Sequence, residues 1–287
     1  MERRFSVGEI LLGVLALALM GFVASQVVAA APRRDRASNS PARLSGNDSL
    51  SIATQYRTQL SNRKTGYDVP GWLAEVHIAR LQSAAVRDIA AGTATASFTT
   101  EAVDAVLDNG ASPSYLKPML VEDGNLVMRW KSGDAPIRVW VQPNSSEPGF
   151  TSGLIAPTRR GFTAWNELAL GVQFSMVEDS TAADVHVTWS ASMPLARQIG
   201  TTFRMTGGSG WIAIAHVILS TSYDIYAVQN AARHEAGHVL GLGHSPDPRD
   251  IMTAMSEGRQ YQITDADRHT VTQLYQLPAG ALPSSAR

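Results

Sequence analysis

The stretch HEAGHVLGLGHS at residues 234–245 limits local structure more than any other part of the chain. On an α-helix, His234 and His238 would lie on one face, with Cβ atoms about 5–6 Å apart. Gly241 can adopt the left-handed backbone conformation that ends a helix in a sharp turn. His244 follows this glycine by three residues and can return toward the first two histidines. The spacing therefore predicts a helix that ends at Gly241 and three imidazoles that converge.

Three converging imidazoles beside a carboxylate are typical of a catalytic metal site. Glu235 is adjacent to His234 but displaced around the helix, so it can reach a metal-bound water without being a ligand. Three protein nitrogens and one water make up a catalytic zinc site, whereas a structural zinc fills its fourth position with another protein ligand. We therefore predict three metal ligands (His234, His238 and His244), Glu235 as the catalytic base and Gly241 as the hinge. The alternative, a His-rich helix end without function, does not explain the full H-E-x-x-H-x-x-G-x-x-H spacing.

These residues resemble the zinc-binding sequence of the metzincin metallopeptidases. HVLGLGHS, with Ser245 after the third histidine, is most similar to the matrixin branch. Met252 stands eight residues after His244 in the sequence Asp250-Ile251-Met252, which resembles the Met-turn of this family. In the family this turn places a methionine beneath the metal, so the resemblance implies that Met252 supports the site. The similarity covers roughly residues 133–278.

Flanking segments extend this resemblance in both directions. ITDADRHTVTQLY at 263–275 is similar to the closing helix of the family, and IRVW, AWNE and ADVHV are similar to its first strand, first helix and third strand. Carboxylates are favourable in the first turn of a helix because of the helix dipole, which suits Asp265 and Asp267. We expect one of these two residues to brace the Met-turn.

Hydrophobic periodicity agrees with the fold that the resemblance implies. It predicts strands at 137–141, 172–176, 184–189 and 211–219, and helices at 158–169, from before 230 to Gly241, and 263–277. The expected fold is α/β (α+β), with a metzincin-type twisted mixed sheet, an active-site helix, a Met-turn and a C-terminal helix, preceded by a small helical N-terminal segment. Residues 197–210 are interpreted as a loop. The strand at 210–219 is expected to form the sheet edge that pairs with an extended substrate.

Two features depart from the family pattern. Matrixin zymogens hold the zinc with a propeptide cysteine, but this chain contains no cysteine. Disulfides and Cys-ligated metals are excluded for the same reason. The loop at 197–210 contains no histidine or carboxylate, unlike the loop that carries structural zinc and calcium ions in the vertebrate enzymes. We therefore expect one catalytic zinc ion without additional structural Zn²⁺ or Ca²⁺.

The N-terminus carries a pattern typical of export. Arg3 and Arg4 precede an uncharged stretch at 10–31 that ends in small residues, as in a signal peptide cleaved near Ala30 or Ala31. The same stretch is long enough to span a bilayer as an uncleaved anchor. Both alternatives stay open, and both predict an extracytoplasmic protein that is either secreted or anchored to the membrane by this segment.

The rest of the chain divides by composition and periodicity. We predict a signal peptide or anchor (1–31), a polar linker (32–70), an N-terminal helical segment (71–131), the matrixin-like peptidase domain (132–278) and a tail (279–287). The helical segment could be an inhibitory pro-segment, although it lacks the cysteine. Within it, the patterns predict helices from residue 72 to before Gly92 and at 100–108, and a hairpin at 119–130.

The function predicted from the motif is zinc-dependent endopeptidase activity on extended polypeptides. A formal net charge of -1 gives no argument for nucleic acid as a partner. The membrane is a second predicted partner through residues 10–31, and the oligomeric state cannot be predicted. The alternative function is a non-catalytic, zinc-stabilised binding module that is exported or membrane-tethered. Glu235 argues against this alternative, because a structural zinc site has no need of a carboxylate there.

The chain contains further histidines outside the motif. His186 is expected to be a hydrogen-bonded strand residue, although Asp184 nearby leaves a second metal open. His216 would lie in the edge strand near the cleft, where a substrate-side role is open. His77 and His269 are expected on solvated helix faces.

Overall fold

The computed structural model describes residues 52–57, 69–90, 105–106, 113–122, 127–133, 135–206, 211–254 and 262–279. The helices are α1 (Gly71–Ala90), α2 (Leu116–Glu122), α3 (Ile155–Thr163), α4 (Ile225–Leu240) and α5 (Asp265–Gln276). The strands are β1 (Ile137–Val141), β2 (Phe174–Val177), β3 (Val185–Ser190), β4 (Gly200–Thr206) and β5 (Ile212–Ser220). Residues 52–57 are also helical, and short 3-10 helices occupy Ser152–Leu154, Ala164–Leu168 and Ser180–Ala182.

Several sequence-based predictions lie outside the described residues. They include the stretch at 10–31, most of the linker, and the helix at 100–108 apart from the helical residues 105–106. In the part of the chain that the structure describes, no helix has the length and apolar character needed to cross a membrane.

The five strands form one mixed sheet in the order β2-β1-β3-β5-β4. β1 runs parallel to β2 and β3, β3 runs parallel to β5, and β4 pairs with β5 in the antiparallel direction. The α/β fold with a mixed sheet and a C-terminal helix is therefore confirmed. Two details were wrong, because Gly200–Thr206 is a strand rather than a loop, and this strand, not β5, lies at the edge.

One face of the sheet carries the main core of the molecule. Successive strand residues point to opposite faces, and the apolar set on this face comes from the alternating valines of β1 and β3 and from Val217. Helices α3 and α4 cover them. Gly161 of α3 lies so close to α4 that a Cβ there would approach Ala232 Cβ to 2.7 Å. This close packing fixes the position of α4, which carries the histidine motif.

Helix α1 and residues 52–57 cover the opposite face. Their apolar side chains meet Met205 and Ile214 in a second, smaller core cluster. The remaining contacts in this layer are polar. The His77 Nδ1 atom lies 2.6 Å from the Tyr56 hydroxyl, and its Nε2 atom lies 3.3 Å from Nδ1 of His186. His77 is thus buried, and its predicted place on a solvated helix face was wrong.

His186 is hydrogen-bonded within this layer, as predicted. Its Nε2 donates to the carbonyl of Ser180 at 2.8 Å, so its Nδ1 is left to accept from Nε2 of His77. Burial lowers the pKa of His186 from its ordinary 6.5 to about 4, which keeps this imidazole neutral at physiological pH.

His216 lies on the same face as His186, its cross-strand partner. Its Nε2 is 2.8 Å from the Thr188 hydroxyl, and its ring is 5.6 Å from the ring of His77. This face is turned away from α4, so the predicted location of His216 beside the substrate cleft was wrong. His269, by contrast, is exposed on α5, as predicted.

Side chains from residues 113–122 and 127–130 contribute to the main core. The predicted hairpin at 119–130 was wrong, because Met119 belongs to helix α2, where it is buried. The Trp130 indole donates to the carbonyl of Val239 in α4 at 2.8 Å, and the Arg129 carbonyl accepts from the N–H of Ile212 at 2.9 Å. This segment therefore supports both the motif helix and the start of β5.

Candidate catalytic metal site

Helix α4 begins and ends with well-defined caps. The Asp224 side chain accepts hydrogen bonds from the N–H groups of Tyr226 and Ala227, each at 2.9 Å. At the other end, Gly241 has a φ of 115°, in the left-handed region, as the sequence predicted. A side chain at this position would also overlap the carbonyl of Met128. Both the backbone conformation and the available space therefore require glycine here.

The turn at Gly241 brings the three histidines of the motif together. Each of His234, His238 and His244 offers one ligand nitrogen, and these atoms all lie within 4.8 Å of one another. The Nε2 atoms of His238 and His244 are 3.2 Å apart. Zinc and related divalent metals are bound by such imidazole sets. The structure thus confirms the predicted convergence, and the donor set fits a zinc ion.

Backbone carbonyls orient two of these imidazoles. Nδ1 of His234 donates to the carbonyl of Ile251 at 2.6 Å, and Nδ1 of His238 donates to the carbonyl of Leu242 at 2.8 Å. A ring that donates from Nδ1 presents the lone pair of Nε2, which is the arrangement found in metal-ligating histidines. Burial lowers the pKa of His234 to about 4 and lowers that of His238 well below 6.5. Both imidazoles are therefore neutral, the form that binds a metal.

The Glu235 carboxylate lies between α4 and strand β4. The side chain is buried, and its Oε2 accepts a hydrogen bond from the Thr202 hydroxyl at 2.6 Å. A Cβ at Gly200 would lie 2.6 Å from the other oxygen, Oε1. Burial raises the pKa of Glu235 from 4.5 to about 7, although the hydrogen bond from Thr202 opposes part of this increase. A carboxyl group with this pKa can exchange protons near neutral pH.

Met252 is fully buried beneath the first turn of the motif. A Cβ on Gly237 would overlap its sulfur atom and would approach Cζ2 of Trp165 to 3.0 Å. The Ser245 N–H donates to the carbonyl of Met252 at 2.8 Å, so the segment that carries His244 is attached to this turn. The structure thus places Met252 where the resemblance implies, while its role at the metal stays a prediction.

Two acidic residues stabilise the turn around Met252. Asp267 accepts from the Ile251 N–H at 3.1 Å and from the Tyr115 hydroxyl at 2.9 Å. Asp250 accepts from the Thr264 hydroxyl at 2.6 Å. The sequence left Asp265 and Asp267 as alternatives, and the structure selects Asp267. The capping box formed by Thr264 and Asp267 is a local signal that could have identified this residue.

Strand β4 contributes two further residues that the sequence analysis missed. Thr202 donates to Glu235, as described above, and Arg204 donates from Nη1 to the carbonyl of His238 at 3.1 Å. Both polar side chains face α4 rather than solvent. In GTTFRMT these polar residues alternate with the apolar Phe203 and Met205, and this short alternation is the signal that could have identified the strand.

The fold and the site together define a metzincin-type domain, in which a mixed sheet supports a histidine-bearing helix, a glycine turn and a buried methionine. Residues 152–276 match the family model of the matrixin peptidases. The chain is also similar to Metalloendoproteinase 1 of Glycine max, with 24% identity over 164 residues, which are 51% of this chain and 52% of that protein. It thus spans about half the length of that relative. Both comparisons support the predicted resemblance to matrixin-like metzincins, which is confirmed at the level of similarity.

Proposed function

We propose that this protein is a zinc-dependent endopeptidase in which the three histidines of the motif hold the metal and Glu235 is the general base. The observation that carries the proposal is that Glu235 is buried on the helix that carries two of the three converging imidazoles, next to His234 in sequence. A structural zinc site needs no such carboxylate. The matrixin match supports metallopeptidase activity at the level of the family.

In the proposed mechanism, the histidines of the motif bind the metal and Glu235 transfers a proton. When bound, zinc would acidify a water molecule and polarise the scissile carbonyl. His234 and His238 are held by backbone carbonyls in the neutral tautomer that can ligate the metal. Glu235 takes a proton from the attacking water and delivers it to the leaving nitrogen, a double role that a pKa of about 7 allows.

An extended polypeptide is the proposed substrate. Among the described strands, β4 pairs with β5 on one side and forms the edge of the sheet on the other. An edge strand offers unpaired N–H and carbonyl groups to an extended peptide. Because β4 also contacts Glu235 through Thr202, a peptide added to this edge would lie next to the base.

The proposal includes one zinc ion and an extracytoplasmic location. Within the described residues, the group of His, Asp and Glu side chains whose ligand atoms converge is the motif triad itself. Residues 10–31 support secretion or anchoring in the membrane through their resemblance to a signal or anchor segment. The peptidase domain is proposed to span 132–278, with side chains from residues 115–120, 127 and 130 completing its core, and Met252 and Gly241 are proposed as its Met-turn and hinge.

A Glu235→Gln variant tests the proposal most directly. We expect it to bind one zinc per chain and to lose about 10²–10⁴-fold in kcat, the usual contribution of a general base. The substrate would be a random peptide library, digested with and without a zinc chelator, followed by sequencing of the new ends. Glu167→Gln is the matched control, since Glu167 is exposed on a 3-10 helix. Full activity of the Glu235→Gln variant would exclude Glu235 as the base. Absent cleavage by the wild type would favour the non-catalytic binding module, and cleavage that the chelator does not affect would exclude zinc from the reaction.

A further inference from the structure

We propose that Thr202 is a positioning residue for Glu235, holding its carboxylate in the orientation that proton transfer requires. The inference rests on the proposed function and adds a residue to it. Thr202 lies in the middle of β4 and donates its hydroxyl hydrogen to Oε2 of Glu235 at 2.6 Å. The same hydroxyl lies 3.3 Å from the backbone carbonyl of Glu235.

The Thr202 hydroxyl is the hydrogen-bond donor that the described residues provide to this buried carboxylate. A glutamate side chain has several rotatable bonds, so a carboxylate without a donor could occupy more than one orientation. The hydrogen bond from Thr202 therefore fixes one orientation of the Glu235 carboxylate.

Gly200 completes this arrangement from the same strand. Residues two apart on a strand point to the same face, so Gly200 and Thr202 both face α4. The missing side chain at Gly200 leaves space for the carboxylate, because a Cβ there would lie 2.6 Å from Oε1 and 2.7 Å from Cγ of Glu235. Gly200 thus leaves space for the Glu235 carboxylate, and Thr202 forms a hydrogen bond with it.

Thr202 also links Glu235 to the edge strand of the sheet, because it belongs to β4. β4 is the edge strand on which an extended peptide would pair, and Arg204 on the same face is attached to the end of α4 through the carbonyl of His238 at 3.1 Å. The strand is thus held to α4 at two points. A peptide aligned on β4 would be aligned with Glu235 at the same time.

Thr202→Val removes the hydroxyl while keeping the branched shape, and Thr202→Ser keeps the hydroxyl. We expect Thr202→Val to bind one zinc per chain, to keep KM within about twofold and to lose about 10- to 100-fold in kcat, the range expected for a misplaced catalytic group. Thr202→Ser should recover most of kcat. Thr201→Val is the matched control, since Thr201 points to the other face of β4.

Crystal structures of the same variants give a readout that does not depend on activity. The Glu235 carboxylate should leave the β4 position in Thr202→Val and keep it in Thr202→Ser. If the wild type cleaves no peptide, the proposed function fails, while the carboxylate positions still test whether Thr202 orients Glu235. An unchanged carboxylate position in Thr202→Val, or wild-type kcat in that variant, would overturn the proposal. Thr202→Ala provides the same comparison if the valine variant does not fold.

Discussion

Asp267 accepts a hydrogen bond from the backbone N–H of Ile251 at 3.1 Å, and so connects the last helix to the turn beneath the metal site. The carbonyl of the same Ile251 accepts from Nδ1 of His234 at 2.6 Å. A single residue thus lies between a buried carboxylate and a proposed metal ligand. Partners that orient a metal-ligating imidazole affect metal affinity even though they do not contact the ion. We therefore expect Asp267 to affect the proposed metal site through Ile251.

Replacing Asp267 with alanine tests this connection. We expect zinc affinity to decrease by about 10- to 100-fold, because His234 loses its orienting turn. The free energy of unfolding should decrease by about 1–3 kcal/mol, since the Ile251 and Thr264 N–H groups lose their acceptor. Zinc affinity can be measured by competition with a chromophoric chelator and stability by urea unfolding. The control is Asp265→Ala, since Asp265 lies in the same helical turn but is exposed, and this variant should keep nearly the wild-type zinc affinity and stability. Equal zinc affinities of Asp267→Ala and Asp265→Ala would contradict the prediction.

A Gly237→Ala variant tests the packing of Met252 against α4. Alanine is favoured over glycine in a helix by about 1 kcal/mol. The added Cβ would, however, overlap the sulfur of Met252, and overpacking typically costs about 1–3 kcal/mol. We expect the overlap to dominate, with a lower free energy of unfolding in a urea titration. Gly71→Ala at the start of α1 has free space around its Cβ and should be neutral or stabilising. Equal effects of the two substitutions on the free energy of unfolding would show that the Met252 side chain can move away from the added Cβ without loss of stability.

The buried His186 predicts a decrease in stability at acidic pH. Its pKa is about 4 in the folded state, against an ordinary 6.5, so the unfolded chain binds more protons between these values. The contribution of the neutral His186 to the free energy of unfolding should therefore be complete above pH 6.5, and it should decrease as the pH falls toward 4. The loss attributable to His186 is on the order of 3 kcal/mol.

His186→Gln separates this contribution from that of other groups. Glutamine can still donate to the Ser180 carbonyl but does not titrate, so we expect a smaller pH dependence of the unfolding free energy than in the wild type. Urea unfolding in a chelator, repeated between pH 4 and 8, would measure the difference without interference from metal release. His269→Gln, an exposed control on α5, should keep the wild-type slope. The same slope in all three proteins would show that His186 makes no contribution.

Deletion of residues 1–131 should prevent folding. It removes six side chains from the main core, namely Tyr115, Leu116, Met119, Leu120, Val127 and Trp130. Each buried side chain of this kind contributes about 1.5–3 kcal/mol, and the sum is comparable with the whole stability of a typical domain. A chain that begins at residue 50 keeps all six. Circular dichroism and urea titration of the two forms would compare them, and cooperative unfolding of the 132–287 form would contradict this prediction.

Features that depend on neighbouring residues could be predicted from the sequence, whereas contacts between distant segments could not. The end of α4 at Gly241 and the convergence of His234, His238 and His244 could be predicted, because they depend on helical periodicity and on the left-handed φ of a single glycine. The burial of His77 could not be predicted. Its neighbours, Tyr56 and His186, are 21 and 109 residues away in sequence.

The sequence by itself predicted the chemistry of the site and the resemblance to the family, since a few residues at fixed spacing indicate three ligands, a base and a hinge. Only the tertiary structure decided which strand forms the edge, which acidic residue braces Met252 and which residue holds Glu235. These answers depend on partners such as Thr202, 33 residues before Glu235, and Tyr115, 152 residues before Asp267. Burial and hydrogen bonding between distant segments depend on how the layers pack, and spacing along the chain does not report that packing.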